Sequence, residues 1–394
     1  MGCCKAERYK WCEHEPVVAG YKDEQGNEYC IFHAPSGKKG PEPGQFNEQV
    51  FSKIRRAKLD NSLCNLSGTV FDRDMNFAGL ELPRINFFEA EFSGEADFSR
   101  ATFNREAYFW GATFSGKANF WRATFSGKAS FSGATFSGEA GFEGATFSGK
   151  ADFSEATFSE AAWFYSDTFI GEDEDTEINL QNLQIKNEIR FEKVNLKRVT
   201  FLDTDLMKID FVNCDWIDEK GREKILYDEK RLSTPANTDS LKKVESLYRR
   251  LKLKCATSQN WPEVSIWHYG EKEMRRKRGA RFWVTWLYWV SSGYAERPVR
   301  AAVWLGGLIL GISLLMSFIE LKPSADAPQW ICDPSWGTRL LACFLNTLQY
   351  ATFQKTYFFE PLTPFGSILK TIAQFLIPLQ TALFILAVRN KHRR

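Results

Sequence analysis

Four residues near the start of the chain have the types and spacing of a metal site. The candidate ligands follow the pattern C-x7-C-x17-C-x2-H and are Cys4, Cys12, Cys30 and His33. Three thiolates and one imidazole suit tetrahedral Zn²⁺, and four protein ligands make a closed, structural site. The surrounding segment has too few apolar residues to fold alone, so bound metal would supply folding free energy. The sequence therefore predicts a structural zinc site.

The ligand set has alternatives. Cys3 or His14 can replace Cys4, and the competing interpretation of the whole segment is free thiols in a disordered tail. No apolar run follows Met1, so we expect no secretory signal peptide and a reducing compartment for these thiols. The start Met-Gly-Cys-Cys suggests N-myristoylation, but Ala6 stands where that motif has Ser or Thr.

The sequence contains no arrangement of residues that is typical of an enzyme active site. The sequence has four histidines and lacks a Gly-rich phosphate loop, a nucleophile elbow and an HExxH motif. The net charge of +2 creates no field that would attract nucleic acid. We expect neither an enzyme nor a nucleic-acid-binding protein.

The middle of the chain is an internal repeat. Phenylalanine recurs from Phe92 to Phe169 in alternating steps of six and five residues, and a small residue usually stands two positions earlier. Less regular copies extend this frame from Leu66 to Trp216, with an acidic interruption at residues 170–177. Such a period fits neither an α-helix nor a strand of simple alternation.

Units such as ATFSGKASFSG resemble the pentapeptide-repeat family over residues 62–216. This resemblance implies a right-handed quadrilateral β-helix, or solenoid, with four repeats per coil. It implies about seven coils, whose stacked Phe side chains fill the interior. Some members mimic DNA and bind type II topoisomerases, but the acidic excess here is mild. We expect a scaffold or a surface that binds a cytosolic protein partner.

Two segments near the C-terminus are long and apolar enough to cross a membrane. Residues 301–319 and 371–388 carry no charge, and a span needs roughly 20 such residues. Basic residues precede the first segment and follow the second, whereas few lie between them, which predicts that both termini are cytoplasmic. We expect a multi-pass protein of the inner (cell) membrane. A pair of buried core helices is the competing interpretation.

The residues before the first span also favour a membrane. The aromatic segment 281–297 follows the basic cluster Lys272–Arg281, a composition typical of an amphipathic helix that contacts interfacial lipid. Upstream, residues 217–280 are predicted to form a helical coupler, with two helices that meet near residues 259–262. In the first span, Gly307-xxx-Gly311 allows close approach of a second helix.

Residues 338–353, between the spans, have the spacing of a short amphipathic helix. Span, short re-entrant helix, loop and span is a layout that resembles two-transmembrane ion channels. The residues that carry this resemblance are LNTLQYATFQ, while EKEMRRKR and SGYAERPVRA resemble the run-in of bacterial pentapeptide-repeat proteins with such a C-terminus. The resemblance to two-transmembrane channels covers residues 240–394. It implies a homo-oligomer, which by analogy with these channels would be a tetramer. The pore-loop candidates that it implies are Thr352, Phe353, Gln354 and Lys355.

The sequence departs from potassium channels in this loop. A potassium filter reads TVGYG, whereas Phe-Gln-Lys follows Thr352, so we do not expect potassium selectivity. Lys355 at a pore mouth would disfavour cations. One face of the second span is polar or kinked at helical spacing, as expected beside a water-filled cavity. The pore-lining candidates are Thr371, Gln374, Pro378 and Thr381. Ordinary helix packing is the competing interpretation of this face.

These interpretations combine into one domain order. It runs through a zinc-binding module at 1–45, a linker at 46–61, the solenoid at 62–216, the coupler at 217–280, an interfacial helix at 281–297 and a two-transmembrane domain at 298–394. The function that we predict is an oligomeric, channel-like membrane protein with a sensing or partner-binding solenoid. The alternatives are a membrane-anchored scaffold without conduction and a triggered membrane-disrupting effector.

Overall fold

The computed structural model describes residues 2–15, 17–39, 43–165, 176–219, 222–233, 237–279, 282–324, 335–352 and 358–392. These residues form two compact units, Met1–Leu251 and Lys252–Arg394. The first unit contains the repeat, and the second contains the apolar C-terminal segments.

The chain begins with a small module and a helix. The module has a 3-10 helix, Lys10–Cys12, and an antiparallel pair of strands, β1 (Val17–Lys22) and β2 (Glu28–Cys30). Helix α1 (Pro43–Leu59) follows. Most of residues 46–61, which were predicted to be a linker, belong to this helix. The apolar side chains at positions 46, 50, 54 and 57 recur at helical spacing and are buried, so this segment has a face to pack.

Four parallel sheets make up the solenoid, and the chain enters them in turn. The first consists of β3 (Cys64–Asn65), β7 (Ile85–Asn86), β11 (Ala107–Tyr108), β15 (Ala129–Ser130), β19 (Ala151–Asp152), β22 (Ile178–Asn179) and β25 (Val199–Thr200). The second consists of β4 (Val70–Phe71), β8 (Glu91–Phe92), β12 (Thr113–Phe114), β16 (Thr135–Phe136), β20 (Thr157–Phe158) and β23 (Gln184–Ile185). The third consists of β5 (Met75–Asn76), β9 (Ala96–Asp97), β13 (Ala118–Asn119), β17 (Ala140–Gly141), β21 (Ala162–Tyr165), β24 (Ile189–Glu192) and β26 (Ile209–Val212). The fourth consists of β6 (Glu81–Leu82), β10 (Thr102–Phe103), β14 (Thr124–Phe125) and β18 (Thr146–Phe147).

The predicted β-solenoid is confirmed, with about six turns rather than the seven expected. Among the described residues, β18 is the last named strand of the fourth sheet, and a single parallel bridge joins Asn195 to Asp215 further along the chain. Residues Leu206–Lys208 form a 3-10 helix where the repeat frame predicted another strand. The right hand and the square cross-section of the coil stay predictions.

Stacked phenylalanines fill the solenoid. Phe98 and Phe120, one coil apart, have ring centroids 5.0 Å apart and planes within 2° of parallel. The ring of Phe142 lies 4.9 Å further on. This distance matches the spacing of hydrogen-bonded strands, so a ladder of flat rings repeats in step with the backbone. The small residues of the frame, such as Ala118, are equally buried and leave room for the rings.

Both ends of the phenylalanine column are covered. At the first coil, Phe46 of α1 contacts Phe71, with ring centroids 5.8 Å apart. After the last coil come the hairpin β27 (Ile217–Glu219) and β28 (Arg222–Ile225), then α2 (Tyr227–Lys230) and α3 (Thr238–Thr257). The Asp228 carboxylate of α2 accepts the backbone N–H of Phe201 at 2.9 Å. Such caps are required because a terminal coil has no neighbour to bury its face.

The second unit is helical. It contains α4 (Trp261–Lys277), α5 (Phe282–Ser292), α6 (Pro298–Ser317), α7 (Trp336–Ala351) and α8 (Pro364–His392), with an antiparallel pair of strands, β29 (Leu321–Pro323) and β30 (Phe359–Pro361). Helices α6, α7 and α8 contact one another around a core that includes Ile312, Cys343, Tyr350 and Ile377. Of the described helices, α6 and α8 are long and apolar enough to cross a membrane. Helix α7 occupies the stretch where a short amphipathic helix was predicted.

Candidate metal centre

Four side chains of the N-terminal module meet in one buried cluster. They are Cys3, Cys12 at the end of the 3-10 helix, Cys30 at the end of β2, and His33 in the turn that follows. One ligand atom from each lies within 4.8 Å of all the others, and each residue is at most 3% exposed. These atoms are therefore close enough to share one metal ion.

The structure places Cys3 in the cluster, whereas Cys4 was the predicted ligand. Cys4 is exposed, and its backbone N–H donates a hydrogen bond to Glu28 O at 2.8 Å. That bond holds the turn with the Cys3 side chain inward and the Cys4 side chain outward. His14, the other alternative, is exposed and lies outside the cluster. Cys12, Cys30 and His33 lie in the cluster as the spacing predicted.

His33 is oriented for ligation by its second nitrogen. Nδ1 lies 3.2 Å from Cys30 Sγ and 3.7 Å from Cys3 Sγ. Nε2 lies 3.1 Å from Ser67 O, a carbonyl that can only accept, so the proton belongs on Nε2. The lone pair of Nδ1 therefore points to the thiols. A backbone carbonyl that fixes the imidazole in this way is the usual outer partner of a metal-bound histidine.

The thiols have unequal proton affinities. A hydrogen bond from Cys30 lowers the pKa of the Cys3 thiol to about 3. Burial raises the pKa of Cys12 to about 12, and the hydrogen bond to Cys3 raises the pKa of Cys30 well above its usual range. Cys3 is thus the most acidic of the three thiols. A divalent cation would convert the other two to thiolates, because the metal ligand is the deprotonated sulfur.

The cluster is attached to the first coils of the solenoid. Trp11 Nε1 donates to Ser67 Oγ at 2.9 Å, and the Tyr9 hydroxyl donates to Glu89 at 2.7 Å. The Tyr9 ring stacks on His33, with centroids 4.9 Å apart, and covers Gly68. A Cβ at Gly68 would lie 2.3 Å from the Tyr9 ring, so this contact requires glycine. These contacts could not be predicted from the sequence, because Ser and Glu occur throughout the repeat and nothing distinguishes Ser67 or Glu89 from the others.

The pore-loop candidates are only partly described. Thr352 follows α7, and its hydroxyl donates to Leu348 O at 3.1 Å. Phe353, Gln354 and Lys355 lie outside the described residues. Nearby, Tyr350 donates to Phe359 O at 2.8 Å, and Asn346 exchanges hydrogen bonds with both backbone groups of Phe359. These bonds fix α7 to strand β30.

The pore-lining candidates do not form the packed face of α8. Thr371 is exposed, while Gln374, Pro378 and Thr381 are half-buried. The buried side chains of this helix lie on a neighbouring face and are Leu369, Ala373, Ile377, Gln380 and Ala387. Pro378 lies inside the helix, as predicted.

Gln380 is a polar residue of α8 that sequence reasoning missed. Its Nε2 donates to Ser291 O and Ala301 O, both at 3.0 Å, and so ties α8 to the chain around the start of α6. The signal was present, since an amide inside an apolar span requires a partner. Gln374 was predicted as the pore-lining glutamine because it shares one helix face with Thr371, Pro378 and Thr381.

One comparison with known proteins identifies the repeat. A model of the family described as pentapeptide repeats (9 copies) matches residues 82–124 and 120–166. The central coils are therefore pentapeptide repeats. No curated protein matches the chain, and no solved structure matches it.

Proposed function

We propose that this chain is an oligomeric, channel-like membrane protein whose pentapeptide-repeat solenoid is a cytosolic sensing or partner-binding domain. The observation that carries the proposal is the packing of the short helix α7 against both long apolar helices, α6 and α8. A short helix held between two spans is the layout of two-transmembrane channels, and we take the tetramer from the same analogy.

Membrane insertion is favoured by the surface of the two long helices. In α6 and in α8, only 22% of the residues in the most apolar 18-residue stretch are buried within the chain. Leu310 of α6 and Phe375 of α8 are 62% and 70% exposed. A soluble protein rarely exposes an apolar surface of this extent, because the cost of hydrating it is large. Lipid, together with other copies of the chain, would cover these side chains.

Basic residues lie before the first span and after the second span. This distribution supports insertion in the inner membrane with both termini in the cytoplasm. A cytoplasmic N-terminus would also keep the three clustered cysteines reduced and able to bind a metal. We propose that the metal is Zn²⁺ in a structural role, because a set of three sulfurs and one imidazole is typical of closed zinc sites.

Ion conduction is tested by planar-bilayer recording on the purified oligomer, with Gln374→Ala as the variant. Leu386→Ala, a partly exposed apolar position of the same helix, is the matched control. Discrete openings that Gln374→Ala alters and Leu386→Ala leaves unchanged would support a pore lined by α8. Reversal potentials would then give the selectivity, and we expect no preference for potassium because Phe-Gln-Lys replaces the filter glycine motif.

A membrane-anchored scaffold without conduction is the second candidate. It is favoured by the hydroxyls of Thr371 and Thr381, which donate to Ser367 O and Ile377 O of their own helix at 3.0 Å and 2.8 Å. Threonines bonded in this way need no water-filled cavity. Silent bilayers from intact oligomers, with each variant folded, would overturn the channel proposal and favour the scaffold.

A further inference from the structure

One side of the solenoid departs from the Ser, Thr and Gly that dominate the repeat surface. Around sheet strands β13, β17, β21 and β24, the outward positions carry aromatic rings and arginines. We call this surface the aromatic face, and its members are Arg100, Trp121, Arg122, Glu143, Trp163, Tyr165, Arg190, Glu192 and Lys193. Trp, Tyr and Arg are the residues most enriched at binding hot spots, so the aromatic face has the composition of a binding site.

Two rings of the aromatic face already carry cations of the chain itself. The guanidinium carbons of Arg100 and Arg122 lie 4.7 Å and 4.6 Å from the centre of the Trp121 ring. Lys193 Nζ lies 5.5 Å from the centre of the Tyr165 ring. Each of these distances is within the range of a cation–π contact. The face is thus built from paired rings and positive charges.

Trp163 breaks this pattern. Within the part of the chain that the structure describes, no cation lies over its ring, and Glu143 beside it has no ion pair. Trp163 and Glu143 together line two adjoining clefts, of about 310 Å³ and about 210 Å³. Tyr165, Arg190 and Glu192 line the larger cleft, where Arg190 is neutralised by an ion pair with Glu192 at 2.9 Å, and Trp121 lines the smaller cleft. An open indole and an unpaired carboxylate therefore face the same space.

A glycine makes the floor of this space. Gly141 pairs in register with Trp163 on the next coil and with Asn119 on the previous one. A Cβ at position 141 would lie 2.7 Å from Glu143 Oε2, which means that the carboxylate folds over the bare backbone at this point. A larger residue would push that carboxylate away from Trp163.

We propose that the cleft between Trp163 and Glu143 binds an organic ammonium group. An indole face attracts a cation through its quadrupole, and a neighbouring carboxylate adds a direct charge pair. The alkyl groups of an organic cation would also bury apolar area against Trp163 and Tyr165, which a hydrated metal ion cannot do. Two sources have this chemistry: a free quaternary amine, and a lysine or methylated lysine side chain on an extended peptide.

The proposal is tested by calorimetric titration of the full-length protein in non-ionic detergent. The probes are choline, a short peptide with a central trimethyl-lysine, and 3,3-dimethyl-1-butanol, a neutral isostere of choline. We expect choline or the peptide to bind and the neutral alcohol not to bind. Choline binding indicates a small-molecule site, whereas binding of the peptide alone indicates a docked side chain. Saturation by the alcohol, or no heat from any probe, would overturn the proposal.

Variants locate the site. Trp163→Leu and Glu143→Gln are each expected to weaken binding on the order of tenfold, since each removes one of the two attractions. Gly141→Ala should weaken it as well, by displacing the carboxylate without removing a contact group. The matched controls are Trp110→Leu and Glu155→Gln, which change an exposed tryptophan and a carboxylate away from the clefts.

Lys117 gives a test of sign. It lines the smaller cleft and carries the same charge as the proposed ligand. Lys117→Gln is therefore expected to tighten binding by about twofold to tenfold. Weaker binding in this variant would point to an anionic ligand and overturn the proposal. Because Lys117 and Glu143 are surface residues, their substitution keeps the test valid even where Trp163→Leu disturbs the fold.

Discussion

His33 Nε2 lies 3.1 Å from the carbonyl oxygen of Ser67, so the imidazole that faces three thiols is also fixed to the first coil of the solenoid. One side chain thereby joins the metal cluster to the repeat. The solenoid needs a cover for its first coil, and the N-terminal module supplies part of it through this contact and those of Trp11 and Tyr9. Metal binding and capping of the repeat are therefore expected to be coupled.

Adjacent cysteines give a sharp test of the ligand set. We expect Cys3→Ser to lower bound zinc from one ion per chain to well below one, because it removes a ligand from the buried cluster. Cys4→Ser is the matched control and should keep the full complement, since Cys4 is exposed. The measurement is elemental analysis of protein purified under reducing conditions. Equal zinc content in the two variants would contradict the assignment of Cys3.

Coupling between the cluster and the solenoid predicts a local effect of metal removal. Chelation should speed hydrogen exchange at the amides of β3 and β4 in the first coil, because Ser67 and Val70 lose fixed partners in the module. Amides of β16 and β17 in the middle of the solenoid should keep their protection and serve as the internal control. Unchanged exchange in the first coil after complete metal loss would show that the cap is stable alone.

The sequence predicted the solenoid well because its signal is local and repeated. A phenylalanine every five or six residues is readable without any partner, and the resulting ladder from Phe98 to Phe142 follows from strand spacing. The metal cluster was predicted only in part. Spacing does not distinguish Cys3 from Cys4, and only the folded module shows that Cys3 is buried in the cluster while Cys4 is exposed.

Long-range contacts account for the other differences. Residues 46–61 were predicted to be a linker, and the contact of Phe46 in α1 with Phe71 of the solenoid joins positions 25 residues apart. The hydrogen bonds of Gln380 to Ser291 O and Ala301 O join positions about 80 to 90 residues apart, and no local pattern reports such a partner. The aromatic face was missed because its residues are adjacent only after the chain has wound into coils.

The phenylalanine ladder predicts the cost of a cavity. Phe120→Ala removes a fully buried ring that stacks on Phe98 and Phe142, and we expect a loss of about 3–5 kcal/mol in the free energy of unfolding of the solenoid. Phe120→Leu keeps most of the volume and should cost clearly less. Urea unfolding followed by far-UV circular dichroism measures both. Ser126→Ala, at an exposed position of the same coils, is expected to be neutral.

Asp228 predicts a pH dependence at the other end of the solenoid. Burial raises the pKa of its carboxyl from 3.8 to about 6, although the backbone N–H groups of Phe201 and Leu202 favour the ionised form. The folded state therefore holds a proton that the unfolded state has released between pH 4 and pH 6. Stability of this cap should fall as the pH rises through that window, by up to about 3 kcal/mol, and stay constant above it.

Asp228→Asn removes the titrating group and keeps an acceptor for the two amides, so the dependence should disappear in this variant. The measurement is the free energy of local opening from hydrogen exchange at the amides of Phe201 and Leu202, compared at pH 4.5 and pH 7. The Asp210→Asn variant, with a more exposed carboxylate of β26, is the control and should retain the dependence. A cap whose opening free energy rises with pH would contradict the prediction.

Membrane topology predicts which cysteines can be labelled from outside the cell. Two spans with cytoplasmic termini place the connection between α6 and α8 on the outer side, so Lys322→Cys in β29 should react with a membrane-impermeant maleimide in intact cells. The experiment is done with Cys332, the native cysteine of this connection, replaced by serine.

Cys4 is exposed in the N-terminal module, so it should react only after the membrane is opened. Labelling of Cys4 alone in intact cells would reverse the orientation. Labelling of neither residue after lysis would indicate that detergent or other chains cover them. Labelling of both in intact cells would mean that α6 and α8 do not cross the membrane as a pair.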